Sequence, residues 1–198
     1  GGVPNVGWTG PAPVFVDANV WYSRTRRDWL GMLYTIPEVP PFQVHWTEDV
    51  MAEVLHSLRK AHPDRDGRRL TGIRDRLAGT FEAGRVDDFM IDGTYKGPDP
   101  HDAHVHAAAI ACRAEMLITC NIADYEWNEN ESTYEVVHPD EFLVLVDDAV
   151  PRLVGVVVEQ MQRYWFERRG ESNLPMHLRT ADCPEFAERV RRHLLRQA

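Results

Sequence analysis

Short apolar runs alternate with longer amphipathic stretches along this chain. Val14-Phe15-Val16 follows a proline-containing leader and reads as a short buried strand. Ala18 to Tyr34 then carries Val20, Trp21, Trp29, Leu30 and Leu33 at loosely helical spacing. The PEVPP segment at 37–41 breaks the chain, and Phe42 to Trp46 reads as a second short strand. Thr47, followed by Asp49, Val50, Val54, Leu55 and Leu58, predicts an amphipathic helix with threonine as its N-cap. Pro63, Asp64 and Gly67 predict a turn before an arginine-rich helix that carries Leu70, Ile73 and Leu77.

Further on, Gly93 to Pro100 reads as a loop, and Asp102 is placed to N-cap an alanine-rich helix from Ala103 to Ala114. A strand over Met116–Thr119 follows at once, then a polar loop at 126–132, a strand from Tyr134 to Val137 and a helix from Pro139 through Leu145. This alternation predicts an α/β fold, a parallel sheet with helices on both faces. From Val150 the character changes. Val150, Leu153, Val154, Val157, Val158, Met161, Tyr164 and Trp165 form one helical stripe, and a second helix spans Pro184 to Leu195. The organisation expected is a leader or cloning remnant at 1–13, a main domain at 14–148 and a C-terminal helical segment at 149–198. The stripe is too long to leave in water, so the segment is expected to pack on the main domain.

Composition narrows the class. With 198 residues and 43% hydrophobic content, the chain can bury a core without disulfide staples. Cys112, Cys120 and Cys183 are odd in number and contain no close CxxC pair, which argues against a disulfide framework or a cysteine-rich zinc site. The longest strongly apolar run, Leu153 to Val158, is far short of the roughly 20 residues that span a bilayer. The first residues lack the basic and apolar regions of a signal peptide, so a cytoplasmic protein is expected. Net charge is −9 and unevenly spread, with −13 in residues 86–150 alone. That excess admits two readings: a solvated acidic surface, or carboxylates converging on a metal ion.

Spacing singles out particular carboxylates. Asp17 directly follows the first strand, and α/β sheets bind their ligands at the carboxyl ends of strands; capping the next helix is the plainer role. Asp102 opens a helix, with Asp99 one short loop earlier. Asp124 lies five residues beyond Thr119, with Asn121 between them. Glu53 sits inside a helix beside apolar residues, as a flank position or a buried ligand. Hard oxygen donors of this kind select Mg²⁺ or Mn²⁺ over Zn²⁺. His101, His104 and His106 bracket Asp102, but His104 and His106 are about 200° apart on a helix and cannot reach one ion.

The segments VFVDANVWY, TEDVMAEVLHSL, DPHDAHVHAAAIACRAEMLITCNIADY and VVHPDEFLVL, in that order, resemble the PIN domain family, in particular the VapC-type ribonuclease toxins of bacterial toxin–antitoxin pairs. The resemblance covers residues 14–148, and the PDEFL segment resembles a subgroup with an added C-terminal helical segment. It implies a three-layer α/β/α domain around a short parallel sheet. It also implies metal-dependent RNA hydrolysis with one or two Mg²⁺ or Mn²⁺ ions. Its acidic set falls on Asp17, Glu53, Asp102 and Asp124, as catalytic residues and metal ligands. Thr119 matches the hydroxyl residue that bonds the first aspartate, Asp99 an acidic position of the subgroup, and Asn121 a weaker or outer ligand. The partners it implies are an RNA substrate and a VapB-like antitoxin, with a homodimer or a toxin–antitoxin hetero-oligomer as the assembly and no membrane. A non-catalytic binding module and a DNA-directed nuclease are the competing classes. Arg24, Arg26, Arg27, Arg65, Arg68, Arg69, Arg74 and Arg76 are candidates to attract phosphate, or else solvated helix faces. Trp21, Tyr22 and Trp46 are either stacking platforms or core.

Overall fold

Strands form where the chain is apolar on consecutive residues. In the computed structural model, which describes residues 10–128 and 134–198, these are β1 (Ala12–Val16), β2 (Phe42–His45), β3 (Met116–Ile118) and β4 (Glu135–Val137). All pair in parallel, in the order β2-β1-β3-β4, with Phe15 opposite both His45 and Leu117 and Leu117 opposite Val136. Val14, Phe15 and Val16 are all fully buried, which is what a parallel sheet covered on both faces requires. The chain leaves β1 for β2 on one side and returns for β3 on the other. The topological switch point therefore lies between β1 and β3.

The helices are α1 (Arg24–Thr35), α2 (Glu48–Ala61), α3 (Gly67–Thr80), α4 (Ala103–Ala111), α5 (Pro139–Ala149), α6 (Pro151–Arg169), α7 (Leu174–Thr180) and α8 (Pro184–Gln197). The fold is a three-layer α/β/α arrangement with added C-terminal helices; the alternation of elements predicts its parallel sheet with helices on both faces, and the resemblance implies the three layers.

Several boundaries differ from expectation, each for a local reason. The stretch 18–34 is broken in two, a 3-10 segment at Ala18–Tyr22 and then α1, because Ser23 takes an extended backbone and its hydroxyl caps Arg26 N–H. The strand ends at Ile118, so Thr119 is already in the loop. The alanine-rich helix stops at Ala111, three residues before the expected end, and Arg113 turns the chain at a φ of 54°. Asp102 does not cap that helix: its side chain makes no capping hydrogen bond, and Asp99 instead caps a 3-10 turn at Pro100–Asp102 by accepting from His101 N–H at 2.9 Å. α5 runs four residues past Leu145, since Val146 continues its buried stripe. α7, capped by Asn173, was not foreseen. Residues 1–9 of the expected leader and 129–133, which include most of the expected polar loop, lie outside the described residues.

The C-terminal helices share one core with the sheet. Val154, Val157, Val158 and Met161 of α6 and Phe186, Ala187 and Val190 of α8 join the cluster that contains β1 and β3. Trp29 of α1 meets Phe186 edge-on, with ring centroids 5.0 Å apart. Asp140 of α5 caps α8 from across the chain, accepting from Glu185 N–H at 3.0 Å and Phe186 N–H at 2.8 Å. On the far side of the sheet, the segment after α3 runs along β2. Val86 N–H donates to the Trp46 carbonyl at 2.8 Å, and Trp46 N–H to the Gly84 carbonyl at 3.3 Å. A Cβ on Gly84 would fall 1.6 Å from the Val44 carbonyl oxygen, so only glycine permits this approach. Trp21 and Trp46 are core residues, leaving Tyr22 exposed among the aromatic residues weighed for stacking. No helix among the described residues is long and apolar enough to cross a membrane.

Candidate active site

The carboxyl ends of β1 and β3 meet at Asp17. Its backbone N–H donates to the Ile118 carbonyl at 2.9 Å, so the register of the two strands fixes its position. The side chain is buried, yet well supplied with donors. Oδ1 accepts from Ala18 N–H at 2.8 Å, and Oδ2 accepts from Thr119 Oγ1 at 2.9 Å and from Asn19 Nδ2 at 3.2 Å. Asp17 thus fills the plain capping role and also stands at the sheet's ligand-binding edge. Burial raises its pKa, with Glu53 adding to the rise; the Thr119 and Ala18 hydrogen bonds oppose it. Thr119 is fully buried and also accepts from Asn19 Nδ2 at 3.2 Å and Asn121 N–H at 3.1 Å. Asn19 Oδ1 in turn accepts from Cys120 N–H at 2.9 Å, tying the β1 and β3 loops together.

Glu53 projects from α2 and is about half exposed, with Oε1 2.9 Å from His104 Nε2. That bond is the main cause of the raised pKa of His104, with burial opposing it. The other ring nitrogen, Nδ1, is buried with no hydrogen-bond partner among the described residues. Asp102 precedes α4. Its pKa is pushed up to about 6, first by burial and then by the charges of Asp17, Asp99, Asp124 and Glu53. Four carboxylates from separate parts of the chain therefore act on a fifth. Asp124 lies in the 3-10 segment Ile122–Asn128, with its N–H bonded to the Asn121 carbonyl; Asn121 itself is exposed. Tyr95 closes one side, its ring against Tyr125 and Trp127. Burial and then Asp102, Asp124 and Asp99 push its phenol up to about 12.

The donor chemistry fits a hard divalent cation: the carboxylates offer oxygen donors only, and the charges of the other four add to the burial that raises Asp102. The geometry is open. Among the described residues, no group of three or more His, Cys, Asp or Glu side chains could hold an ion as they stand. The carboxylates would have to draw together around one. A histidine site finds no support, since His104 turns to Glu53 while His106 bonds Tyr134 Oη at 2.6 Å and Thr94 Oγ1 at 2.9 Å.

Sequence reasoning missed Asn19, His104 as the partner of Glu53, and Tyr95. Asn19 had a signal, a polar residue two positions beyond a strand-terminal aspartate; the other two depend on how α4 and the loop before it fold back. Three candidate phosphate contacts, Arg26, Arg27 and Arg74, make structural bonds instead, Arg27 to the Trp21 and Tyr22 carbonyls. Arg26 donates to the carbonyls of Val20, Asn19 and Ala181, and Arg74 grips both oxygens of Glu48 at 2.6 Å.

Fold and site together define an α/β domain with carboxylates gathered near the sheet's switch point. A family model described as PIN domain matches residues 13–123, more than half of the chain, and the chain belongs to the PIN domain family. PIN domains are generally metal-dependent nucleases, so the coarse activity is that of a nuclease-type hydrolase. The match includes Asp17, Glu53, Asp99, Asp102, Thr119 and Asn121 and ends one residue before Asp124. No curated protein matches the chain, and no solved structure does.

Proposed function

We propose that the chain is a Mg²⁺- or Mn²⁺-dependent endoribonuclease, the toxin of a VapBC-type toxin–antitoxin pair acting in the cytoplasm. The observation that carries this reading is the gathering of Asp17, Asp99, Asp102, Asp124 and Glu53 near one end of the sheet, where burial first and the other four charges next raise the Asp102 pKa to about 6. Asp17, Asp102, Asp124 and Glu53 are the proposed ligands, with Asn121 and Asp99 in support. One or two divalent ions bound there would polarise the scissile phosphate and lower the pKa of an attacking water. Thr119 and Asn19 hold Asp17 Oδ2, which fixes the carboxylate plane and leaves Oδ1 only one protein donor. His104 holds Glu53 Oε1, leaving Oε2 to complete the ligand set or to take the water's proton. With no ion bound, Asp102 would take up a proton below about pH 6, so an arriving cation would have to compete with that proton.

The partners proposed are an RNA substrate and a small antitoxin that places a basic side chain among the carboxylates, with a homodimer or a hetero-oligomer as the assembly. The test is cleavage of structured RNAs by the wild type and Asp17→Asn with Mg²⁺ or Mn²⁺. Cleavage should fall by at least a hundredfold in the variant and vanish in EDTA; wild-type rates in EDTA would defeat the reading.

A second reading, a PIN-like module that binds without cleaving, draws on the Glu53–His104 pair and on the open spacing of the carboxylates. A metal titration followed by calorimetry separates the two: binding that needs Asp17 and Asp102 favours the nuclease.

A further inference from the structure

A cavity of about 720 Å³ is separate from the acidic edge. It lies between α1, α3 and α6, and five arginines line it: Arg24, Arg27, Arg65, Arg69 and Arg76. Asp28 is the one carboxylate in the lining, and it pairs with Arg24 at 3.6 Å. Arg27 spends its guanidinium on the carbonyls of Trp21 and Tyr22 at 2.6 and 3.2 Å. Its pKa is lowered by burial, with Asp28 opposing and Arg24, Arg76 and Arg65 adding to the fall, so the cluster's charges repel one another. The side chains of Arg65, Arg69 and Arg76 form no ion pair with any described residue. A cavity with this imbalance is built for an anion.

The rest of the lining says which kind. Three aromatic rings stand among the arginines: Trp165 carries the guanidinium of Arg24 at 5.1 Å and of Arg169 at 5.5 Å, Tyr164 carries that of Arg168 at 4.4 Å, and Tyr22 is exposed. Cationic side chains interleaved with aromatic ones are the recognition chemistry of a single-stranded nucleic acid, in which phosphates meet arginine and unpaired bases stack. An acidic peptide would use the arginines and leave the Tyr22 ring idle.

The cavity also adjoins the acidic edge. Tyr22, in its lining, ends the 3-10 segment that begins just after Asp17; its hydroxyl bonds Ser57 and feels Glu53 and Asp17. Tyr22 is thus the residue that joins the cavity to the segment following Asp17.

We propose that this cavity holds the phosphodiester chain of single-stranded RNA flanking the scissile bond, with α6 of the C-terminal segment as one wall. The proposal rests on the nuclease reading for its choice of RNA, and its test is independent of cleavage. Binding of a fluorescent single-stranded RNA 12-mer is measured by anisotropy in EDTA, with wild type and Arg65→Gln/Arg69→Gln/Arg76→Gln. The triple variant should bind at least tenfold more weakly at low salt, and its log–log salt slope should be shallower by about 2. Arg76→Gln alone, at an exposed position, should weaken binding in the same direction, and circular dichroism melts confirm that both variants fold. Kd and slope within twofold of wild type would overturn the proposal. So would displacement of the RNA by poly-glutamate, or by inorganic phosphate or free uridine monophosphate at equal phosphate concentration, since each would name a different occupant. Loss of RNA binding in the variants alongside no cleavage with metal would sink the nuclease reading and leave the cavity's role standing. Full cleavage with unaltered Kd would do the reverse.

Discussion

Thr119 shows how a residue outside any strand or helix can govern a site. Its hydroxyl donates to Asp17 and accepts from Asn19 and Asn121 N–H in a position without solvent. Thr119→Val keeps the shape and removes all three contacts. It is expected to cost about 1–2 kcal/mol of stability and to weaken divalent-ion affinity about 10- to 100-fold, read by calorimetric titration. Asp102 gives a second prediction. Its folded pKa, about 6, lies above the ordinary 3.8. Between those values the folded chain keeps a proton that the unfolded chain has released, so this group's contribution to stability falls as pH rises through the window and is flat above it. In EDTA, Asp102→Asn should abolish that decline and melt higher than wild type at pH 7–8. The gain should be about 1–2 kcal/mol, roughly half the full shift after allowance for solvent screening. Equal melting temperatures at pH 7.5 would refute the crowded-carboxylate account. Asp17 was legible as a strand-end residue because it directly follows an apolar run, whereas its contact with Thr119 was legible only through the family resemblance. His104 was not, because only the packing of α4 against α2 turns its ring toward Glu53.

Elements were legible where burial on consecutive residues or a helical stripe dominates, and less so where a side chain competes with the backbone. β1, β2 and α2 follow their apolar residues and the Thr47 cap to within two residues. The break at Ser23 and the 3-10 turn at Pro100–Asp102 arise from Ser and Asp side chains capturing nearby N–H groups, an outcome that hydrophobic spacing does not register. The start of α8 shows the same competition resolved over distance. Cys183, at its N-cap position, makes no capping hydrogen bond with its side chain, and Asp140 supplies the two missing acceptors from α5. Asp140→Ala is therefore expected to behave as the loss of a helix cap, costing about 1–2 kcal/mol, or about 4 °C in melting temperature. A change under 1 °C in a thermal melt would show that α8 is held by its apolar face alone.

The whole molecule is organised by one core and two opposed charge regions. Val154, Val157, Val158, Phe186 and Val190 are all fully buried in the cluster shared with the sheet. Exposing five such side chains would cost more than about 7 kcal/mol, comparable to the entire stability of a domain. A chain ending at Ala149 should accordingly lose its cooperative melt, read by circular dichroism; a sharp transition near the wild-type temperature would show that the sheet stands without α6 and α8. The packing of this segment was legible in its long apolar stripe, whereas the arginine cavity beneath it was not, because its lining comes from helices far apart in sequence. The sheet's outer boundary carries a different consequence. With the Gly84–Val86 segment hydrogen-bonded along the end of β2, that flank has fewer free amides to offer a stray strand. The opposite flank, β4, is three residues long and begins with the exposed Glu135. Neither border makes a good template for self-propagating fibrils, so a protein of this design should stay dispersed at concentrations where open-edged sheets come out of solution.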